Sequence, residues 1–393
     1  MGSNLSKNEP LKVAILSSLV GGLGHYCSHL AGPLSQYCQL KFITYPQVDL
    51  SGVVVPQLTD PFVRDYIKWP RFDLDETNPS TIVNINSYLK ERDYKIVNLH
   101  VGTTVKQKII YFTTFLTYSK MIGGFKVIIS LHDVLPFEES KSLKKILTMF
   151  YGLADSFIVG NELEKEKLQK YFNVSEKKIH IIYHGIYNLF DKNHFTKNLS
   201  RSYLGIPENK KVVLFFGFLR DHKGMDTLIR AAKKMKKVEP NLCIYVASAL
   251  KYSSPDLINQ YLYLIKKMQL EDVFMLNLKY LESRDIEPVF KAADVVALPY
   301  GKVSQSGVLM MAMGFKKPVV ITDVFYEKKW VKDLAGLVAK AKDSDSVADK
   351  LLQLLHQQSL ANQYGNNGYR YASNNFSWQK AAQQYFQIYS KLV

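Results

Sequence analysis

Cysteine is scarce, with only Cys27, Cys38 and Cys243 in 393 residues. Three thiols so far apart exclude a disulfide framework and a cysteine-rich zinc site, and they fit a reducing compartment, the cytoplasm. Long apolar runs are also missing. The first, residues 13–20, is followed by Gly21-Gly22 rather than a small-residue cleavage site, so it reads as a buried strand and not as a signal peptide. No stretch of roughly 18 apolar residues occurs, which argues against a spanning helix. Glycine and proline, at 21 and 14 residues, are too ordinary for a fibrous or low-complexity chain. Acidic residues fall short, 35 against 51 Lys and Arg, and the formal net charge is +16. That balance favours anionic partners: phosphates, nucleic acid or an acidic membrane face. Lysines gather at Lys141, Lys144 and Lys145 and at Lys233, Lys234, Lys236 and Lys237. They read as solvated helix faces, with peripheral contact to an anionic membrane as the functional alternative. The opening Met1-Gly2-Ser3-Asn4-Leu5-Ser6 matches the N-myristoylation pattern and is taken as a chance match.

What is present is a globular composition, 47% hydrophobic and 22% charged, in a chain longer than one core supports. Two domains follow. A strand over residues 12–20 leads through Gly21, Gly22 and Gly24, read as a turn, into a helical segment from His25 to Tyr37. Apolar strand-like runs recur at 40–44, 96–100, 127–131, 156–159 and 179–182. The scheme restarts with a strand at 212–217, a helix at 224–238 and strands at 242–247, 274–276, 295–298 and 318–321. Strands alternating with helices predict α/β domains with parallel, doubly wound sheets. The expected division is 1–200, 201–375 and a last helix, 376–393, packing back toward the N-terminal domain. In such sheets ligands bind at the carboxyl ends of the strands.

Two loops of the second half lie at such ends. Gly217-Phe218-Leu219-Arg220-Asp221-His222-Lys223-Gly224 joins a strand to a helix and puts two cations beside a helix start, which suits a phosphate. A surface turn with solvated charges is the plain alternative. Pro299-Tyr300-Gly301-Lys302-Val303-Ser304-Gln305-Ser306-Gly307-Val308 precedes an apolar helix, and residues 295–322 contain no Asp or Glu. Small residues there admit close backbone approach, and the hydroxyls of Ser304 and Ser306 are candidate donors. An ordinary helix cap explains the serines as well. His132 follows a strand end beside Asp133, either as a cleft residue or as hydrogen-bonded structure. His25, His100 and His184 carry no local signal beyond a structural one. Gly22-Leu23-Gly24 hints at a dinucleotide fold, but Cys27 stands where the third glycine belongs, and no acidic residue occurs between it and Asp49. Nucleic-acid binding rests on charge alone and is set aside.

In order and spacing these segments resemble glycosyltransferase family 4, retaining enzymes of GT-B fold. The likeness rests on Gly21-Gly22-Leu23-Gly24-His25, Leu131-His132-Asp133, His184-Gly185-Ile186, the 217–224 loop with Leu228-Ile229-Arg230-Ala231-Ala232, Ala293-Asp294-Val295, Pro299-Tyr300, Ser306-Gly307-Val308 and Lys317-Pro318-Val319-Val320. It implies two Rossmann-like domains facing a cleft and transfer of a hexose from a nucleotide-diphosphate sugar to a glycan, lipid-linked or other hydroxyl acceptor. No metal and no cofactor are implied. By the same resemblance Arg220 and Lys223 contact the donor diphosphate, with Ser304, Ser306, Gly307 and Val308 beside it. Gly22 and Gly24 lie near donor and acceptor, His132 sits beside the transferred sugar, and Lys279-Tyr280-Leu281 touches the nucleobase through backbone groups. Two features depart from the family. Val303 and Met311 stand where many members carry paired glutamates, and Phe218 stands where an Arg is usual, with Arg220 two residues on. A catalytically silent relative that binds a nucleotide or regulates a partner transferase is the alternative these departures raise. Acceptor choice is expected in residues 47–79.

Overall fold

A computed structural model of the protein describes residues 9–18, 21–44, 71–74, 78–102, 106–135, 141–249 and 254–393. Gly2 and most of the expected acceptor segment, 47–79, lie outside these residues. The chain divides into two compact units. Among the described residues, one comprises those up to His184 together with Trp378–Val393, and the other is Gly185–Ser377.

The first unit runs β1 (Lys12–Ser17), α1 (Gly21–Leu34), β2 (Gln39–Thr44), β3 (Arg71–Asp73), α2 (Ser80–Glu91), β4 (Ile96–Val101), α3 (Lys106–Tyr118), β5 (Lys126–Leu131), α4 (Lys141–Gly152), β6 (Ser156–Val159), α5 (Glu162–Phe172) and β7 (Ile179–Ile181). Among the described residues its seven strands lie in the order β3-β2-β1-β4-β5-β6-β7, and every described pairing is parallel. Strands β4 and β6 are buried along their whole length. That is why they appear in the sequence as continuous apolar runs rather than alternating ones. The glycines after β1 do not form a turn: α1 already begins at Gly21. A side chain at Gly22 would meet nothing within 4 Å, and the Gly24 carbonyl accepts from Ser28 Oγ at 2.6 Å. The helical hydrogen-bond ladder has overridden the low helix propensity of glycine.

The second unit runs α6 (Lys197–Leu204), β8 (Lys211–Phe216), α7 (Met225–Val238), β9 (Leu242–Ala247), α8 (Pro255–Lys267), β10 (Phe274–Asn277), α9 (Ser283–Ala292), β11 (Val295–Leu298), α10 (Gly307–Gly314), β12 (Val319–Thr322), α11 (Lys328–Val331), β13 (Gly336–Ala339), α12 (Ser344–His356) and α13 (Gln358–Asn375). Its parallel sheet has the order β10-β9-β8-β11-β12-β13. Helix α7 turns Leu228, Ile229, Ala231, Ala232 and Met235 into the core against β8 and β9, leaving its lysines outside. The division expected at residue 200 falls earlier because α6 belongs to this unit. Arg201, buried on α6, donates to the Asp294 carboxylate at 2.9 Å and to the Ala292 carbonyl at 3.2 Å. The last helix, α14 (Trp378–Leu392), buries Trp378, Ala381, Ala382, Tyr385, Ile388 and Tyr389, and it packs on α1 within the first unit. Among the described residues no helix is long and apolar enough to cross a membrane.

Candidate functional site

In the second sheet the strand order reverses between β8 and β11, so the connections leaving their carboxyl ends diverge and open a crevice. Those connections are residues 217–224 and 299–306. Leu219 is buried, and its N–H donates to Ser248 Oγ at 3.2 Å, which anchors the first loop while the neighbouring Arg220 stays exposed. Residues Asp221–Lys223 make one 3-10 turn, closed by Lys223 N–H donating to the Arg220 carbonyl at 2.9 Å. Gly224 has φ +70°, and a Cβ there would lie 1.9 Å from the Pro299 carbonyl oxygen, so only glycine lets the two loops meet. Gly301 N–H donates to the His222 carbonyl at 2.8 Å and ties them together. Lys223 Nζ sits 3.9 Å from the Tyr300 ring centroid, a cation–π contact that gives a mobile side chain a preferred place. Tyr300 is buried, and its carbonyl accepts from Thr322 Oγ1 at 2.6 Å.

The structure therefore gathers Arg220, Lys223 and Lys302 on two interlocked loops. Burial, with the charges of Lys223, Arg220 and Lys302 working in the same direction against Asp221, pushes the His222 imidazole down to about 4. His222 is neutral at neutral pH, and the positive charge resides in the Arg and Lys side chains. Ser306 caps α10, its oxygen accepting from Leu309 N–H at 3.3 Å. The plain reading of this serine as a helix cap thus holds, and its own hydroxyl hydrogen is not used in that bond. Ser304 is buried, while Gly307 and Val308 are half-buried at the helix start. Gly217, with φ +109°, would place a Cβ 3.7 Å from the Val308 side chain, so the second loop folds over the first. Lys279, Tyr280 and Leu281 follow β10, the edge strand, with β9 between it and β8.

In the first sheet the order reverses between β1 and β4. His132 directly follows β5, its N–H donating to the Val101 carbonyl of β4 at 2.9 Å. His132 Nε2 is 3.5 Å from His100 Nδ1. Tyr26, in α1 just after Gly22 and Gly24, presents its ring edge-on to His132 at 4.6 Å between centroids. The same ring touches His184 at 5.1 Å and Trp378 at 4.9 Å, both also edge-on. Burial, then the neighbouring His100 and His184, hold the His132 imidazole well below its ordinary value, so it is uncharged. Among the described residues no group of three or more His, Cys, Asp or Glu is placed to hold a metal ion.

Residues 20–187 match the family described as Glycosyltransferase Family 4, and residues 196–371 match Glycosyl transferases group 1. The chain thus carries a family 4-like glycosyltransferase domain followed by a group 1-like glycosyltransferase domain. It is 24% identical over 389 residues to an uncharacterized glycosyltransferase of Methanocaldococcus jannaschii, covering 94% of each chain. It is 30% identical over 251 residues to the D-inositol 3-phosphate glycosyltransferase of Corynebacterium aurimucosum, covering 60% of this chain and 57% of that one. Against that relative the match spans little more than half of either protein. Among solved structures, HepE of Anabaena in complex with UDP and glucose is similar at a TM-score of 0.80 and 16% identity, covering 97% of this chain and 100% of that one. Sucrose-phosphate synthase of Thermosynechococcus elongatus is similar at 0.77 and 16%, covering 97% and 99%. The fold is GT-B.

For a glycosyltransferase of this kind the departures noted in the sequence have physical consequences. Met311 is buried in α10, whose residues from Leu309 to Gly314 all face the interior. A thioether there offers a ligand hydroxyl no strong acceptor. Val303 is half-buried and equally without an acceptor on its side chain. Sequence reasoning set His100 and His184 aside as structural and missed Tyr26, whose ring meets His132, His184 and Trp378, as well as the Tyr300 ring beneath Lys223. One signal was available for His100: it lies one residue before the end of β4 and His132 one residue past the end of β5, and adjacent parallel strands bring such residues together.

Proposed function

We propose that this glycosyltransferase moves a hexose from a nucleotide-diphosphate sugar to a hydroxyl of a glycan, a lipid-linked acceptor or another acceptor, with the anomeric configuration retained and without a metal ion or cofactor. One observation carries the proposal: the two loops at the strand-order reversal of the second unit, locked by the Gly301 to His222 hydrogen bond, display Arg220 and Lys223 beside a helix start. When the bond from the anomeric carbon to the diphosphate oxygen breaks, negative charge collects on the departing phosphate. The Arg220 guanidinium can meet it with two parallel N–H groups and Lys223 with a point charge, while the start of α10 adds backbone N–H groups, with Ser304, Ser306, Gly307 and Val308 close by. Each charge-assisted hydrogen bond contributes about 1.5–3 kcal/mol. The backbone around Tyr280 serves the nucleobase. In the first unit, neutral His132 hydrogen-bonds a hydroxyl of the sugar, and the first turn of α1, with Gly22 open above its Cα and Gly24 behind it, leaves room for a substrate. The fold neighbour solved with UDP and glucose supports a nucleotide-sugar donor.

A thermal-shift screen against nucleoside diphosphates and their sugars tests the donor, since a ligand of the folded state raises its melting temperature. One base is expected to stand out, and the matching diphosphate sugar to be turned over. Turnover that survives in an Arg220→Ala, Lys223→Ala double variant defeats the proposal. Binding without turnover, with any donor and any partner, would mark a silent regulatory relative instead. We place the protein in the cytoplasm, with Lys144 and Lys145, exposed on α4 beside the exposed Met149, as the peripheral contact to an anionic membrane. Co-sedimentation with phosphatidylserine vesicles that is unchanged by Lys144→Glu, Lys145→Glu would count against that placement.

A further inference from the structure

A run of hydrogen-bonded side chains connects α14 to His132 inside the first unit. Asn98 Nδ2 lies 2.7 Å from Tyr389 Oη and 3.3 Å from His100 Nε2, and Asn98 Oδ1 accepts from Ser130 Oγ at 2.9 Å. Ser130 Oγ in turn lies 3.5 Å from Tyr385 Oη, which is 3.1 Å from Tyr26 Oη. Asn98, His100 and Tyr389 have no solvent exposure. An amide nitrogen carries two hydrogens and accepts nothing. With Ser130 on its oxygen, Asn98 therefore donates to both Tyr389 and His100 Nε2. A neutral imidazole that accepts at Nε2 carries its hydrogen on Nδ1. That Nδ1 faces His132 Nε2 at 3.5 Å, so His132 accepts there and its own hydrogen lies on Nδ1. Burial pushes His100 down to about 3, which keeps this ring uncharged at neutral pH.

We propose that His100 is a positioning residue that holds His132 as its Nδ1–H tautomer, and that Asn98, tied to Tyr389, sets the tautomer of His100. The effect on turnover rests on the reading of His132 as a sugar-contacting residue; the tautomer itself does not.

The test is nitrogen NMR of the full chain labelled at histidine rings, with resonances assigned through His100→Gln and His132→Gln. The expected spectrum shows protonated Nδ1 and unprotonated Nε2 for both rings. In Asn98→Asp a carboxylate, which only accepts, replaces the donating amide. Both rings are then expected to switch to Nε2–H, and kcat to fall roughly 10-fold or more, as for other misoriented histidines, while the donor KM stays within about 2-fold. Tyr389→Phe keeps the amide and should leave the pattern unchanged, so it serves where Asn98→Asp does not fold. An Nε2–H or mixed spectrum for His132 in the wild type overturns the proposal, as does a folded Asn98→Asp whose His132 signals do not move. If His132→Gln keeps full turnover, the role assigned to His132 in transfer fails, and the tautomer is judged on the spectrum alone.

Discussion

At the carboxyl end of the first sheet Asn98, His100 and Ser130 are buried, uncharged and bonded to one another. At the carboxyl end of the second they are cationic, and Arg220 and Lys302 stand in solvent. Both places follow from the same topological rule, and they differ in what the fold holds still. In the second unit it holds the backbone, through Gly224 against Pro299 and Gly301 against His222, and leaves the long side chains of Arg220 and Lys302 at the surface. Keeping those charges hydrated avoids the several kcal/mol that burying an unpaired ion costs. In the first unit it holds the side chains themselves, which is affordable because none of them is charged.

The comparison is broken most directly by removing the charge. Arg220→Ala with Lys223→Ala removes two charge-assisted contacts, so kcat/KM is expected to fall by about 10²–10⁴, with the melting temperature nearly unchanged because Arg220 is exposed. Steady-state kinetics and a thermal melt on one preparation decide it; a large stability loss with little loss of activity would reverse the assignment. Next in size is Gly224→Ala, which strains a left-handed residue and drives a methyl group into the Pro299 carbonyl. A loss of roughly 2–4 kcal/mol in urea unfolding is expected, together with weaker nucleotide binding. Stability lost without any loss of nucleotide affinity would show that the loops need not interlock. His132→Gln sharpens the other side. Substituting a neutral group is expected to lower kcat about 10–100-fold while leaving diphosphate affinity within about 2-fold, as calorimetry with the nucleotide would show.

The second unit was legible nearly strand by strand, since buried parallel strands are continuous apolar runs. The strands at 242–247 and 295–298 coincide with the observed Leu242–Ala247 and Val295–Leu298. The pairing of its two loops was partly legible, since each follows a strand and carries small residues. The cluster around His132 was not. His100 and His184 lie far from it in sequence and meet it only through strand register and chain return, which composition and periodicity do not encode. Tyr385 and Tyr389 look like an ordinary packing stripe, and their hydroxyls acquire a role only because Asn98 and Ser130 end up opposite them. The start of α1 at Gly21 was misread because glycine signals a turn locally, whereas here the glycines sit in a helix whose first turn has open space beside Gly22.

The smallest expected effect separates the cations of the second unit from one another. Lys317 belongs to the same acid-free stretch as Lys302, yet its ammonium is turned inward, donating to the carbonyls of Ala293 at 2.8 Å and Lys291 at 3.1 Å at the C-terminal end of α9. Burial, and then the neighbouring Lys197, push it down to about 7, against the pull of Asp294. Its charge therefore serves the fold and not a ligand. The folded state binds this proton less tightly than the unfolded chain, so unfolding takes up a proton wherever the pH lies between about 7 and the ordinary lysine value of about 10.4. Stability should then rise with pH across that window, by at most about 1.4 kcal/mol per pH unit from this group. Below pH 7 both states are protonated and the cost is constant. Urea midpoints at pH 7 and pH 9 are expected to differ more in the wild type than in Lys317→Met, since the remaining lysines and tyrosines titrate alike in both. Equal pH dependence in the two proteins would place the Lys317 ammonium among the solvated charges, with Arg220.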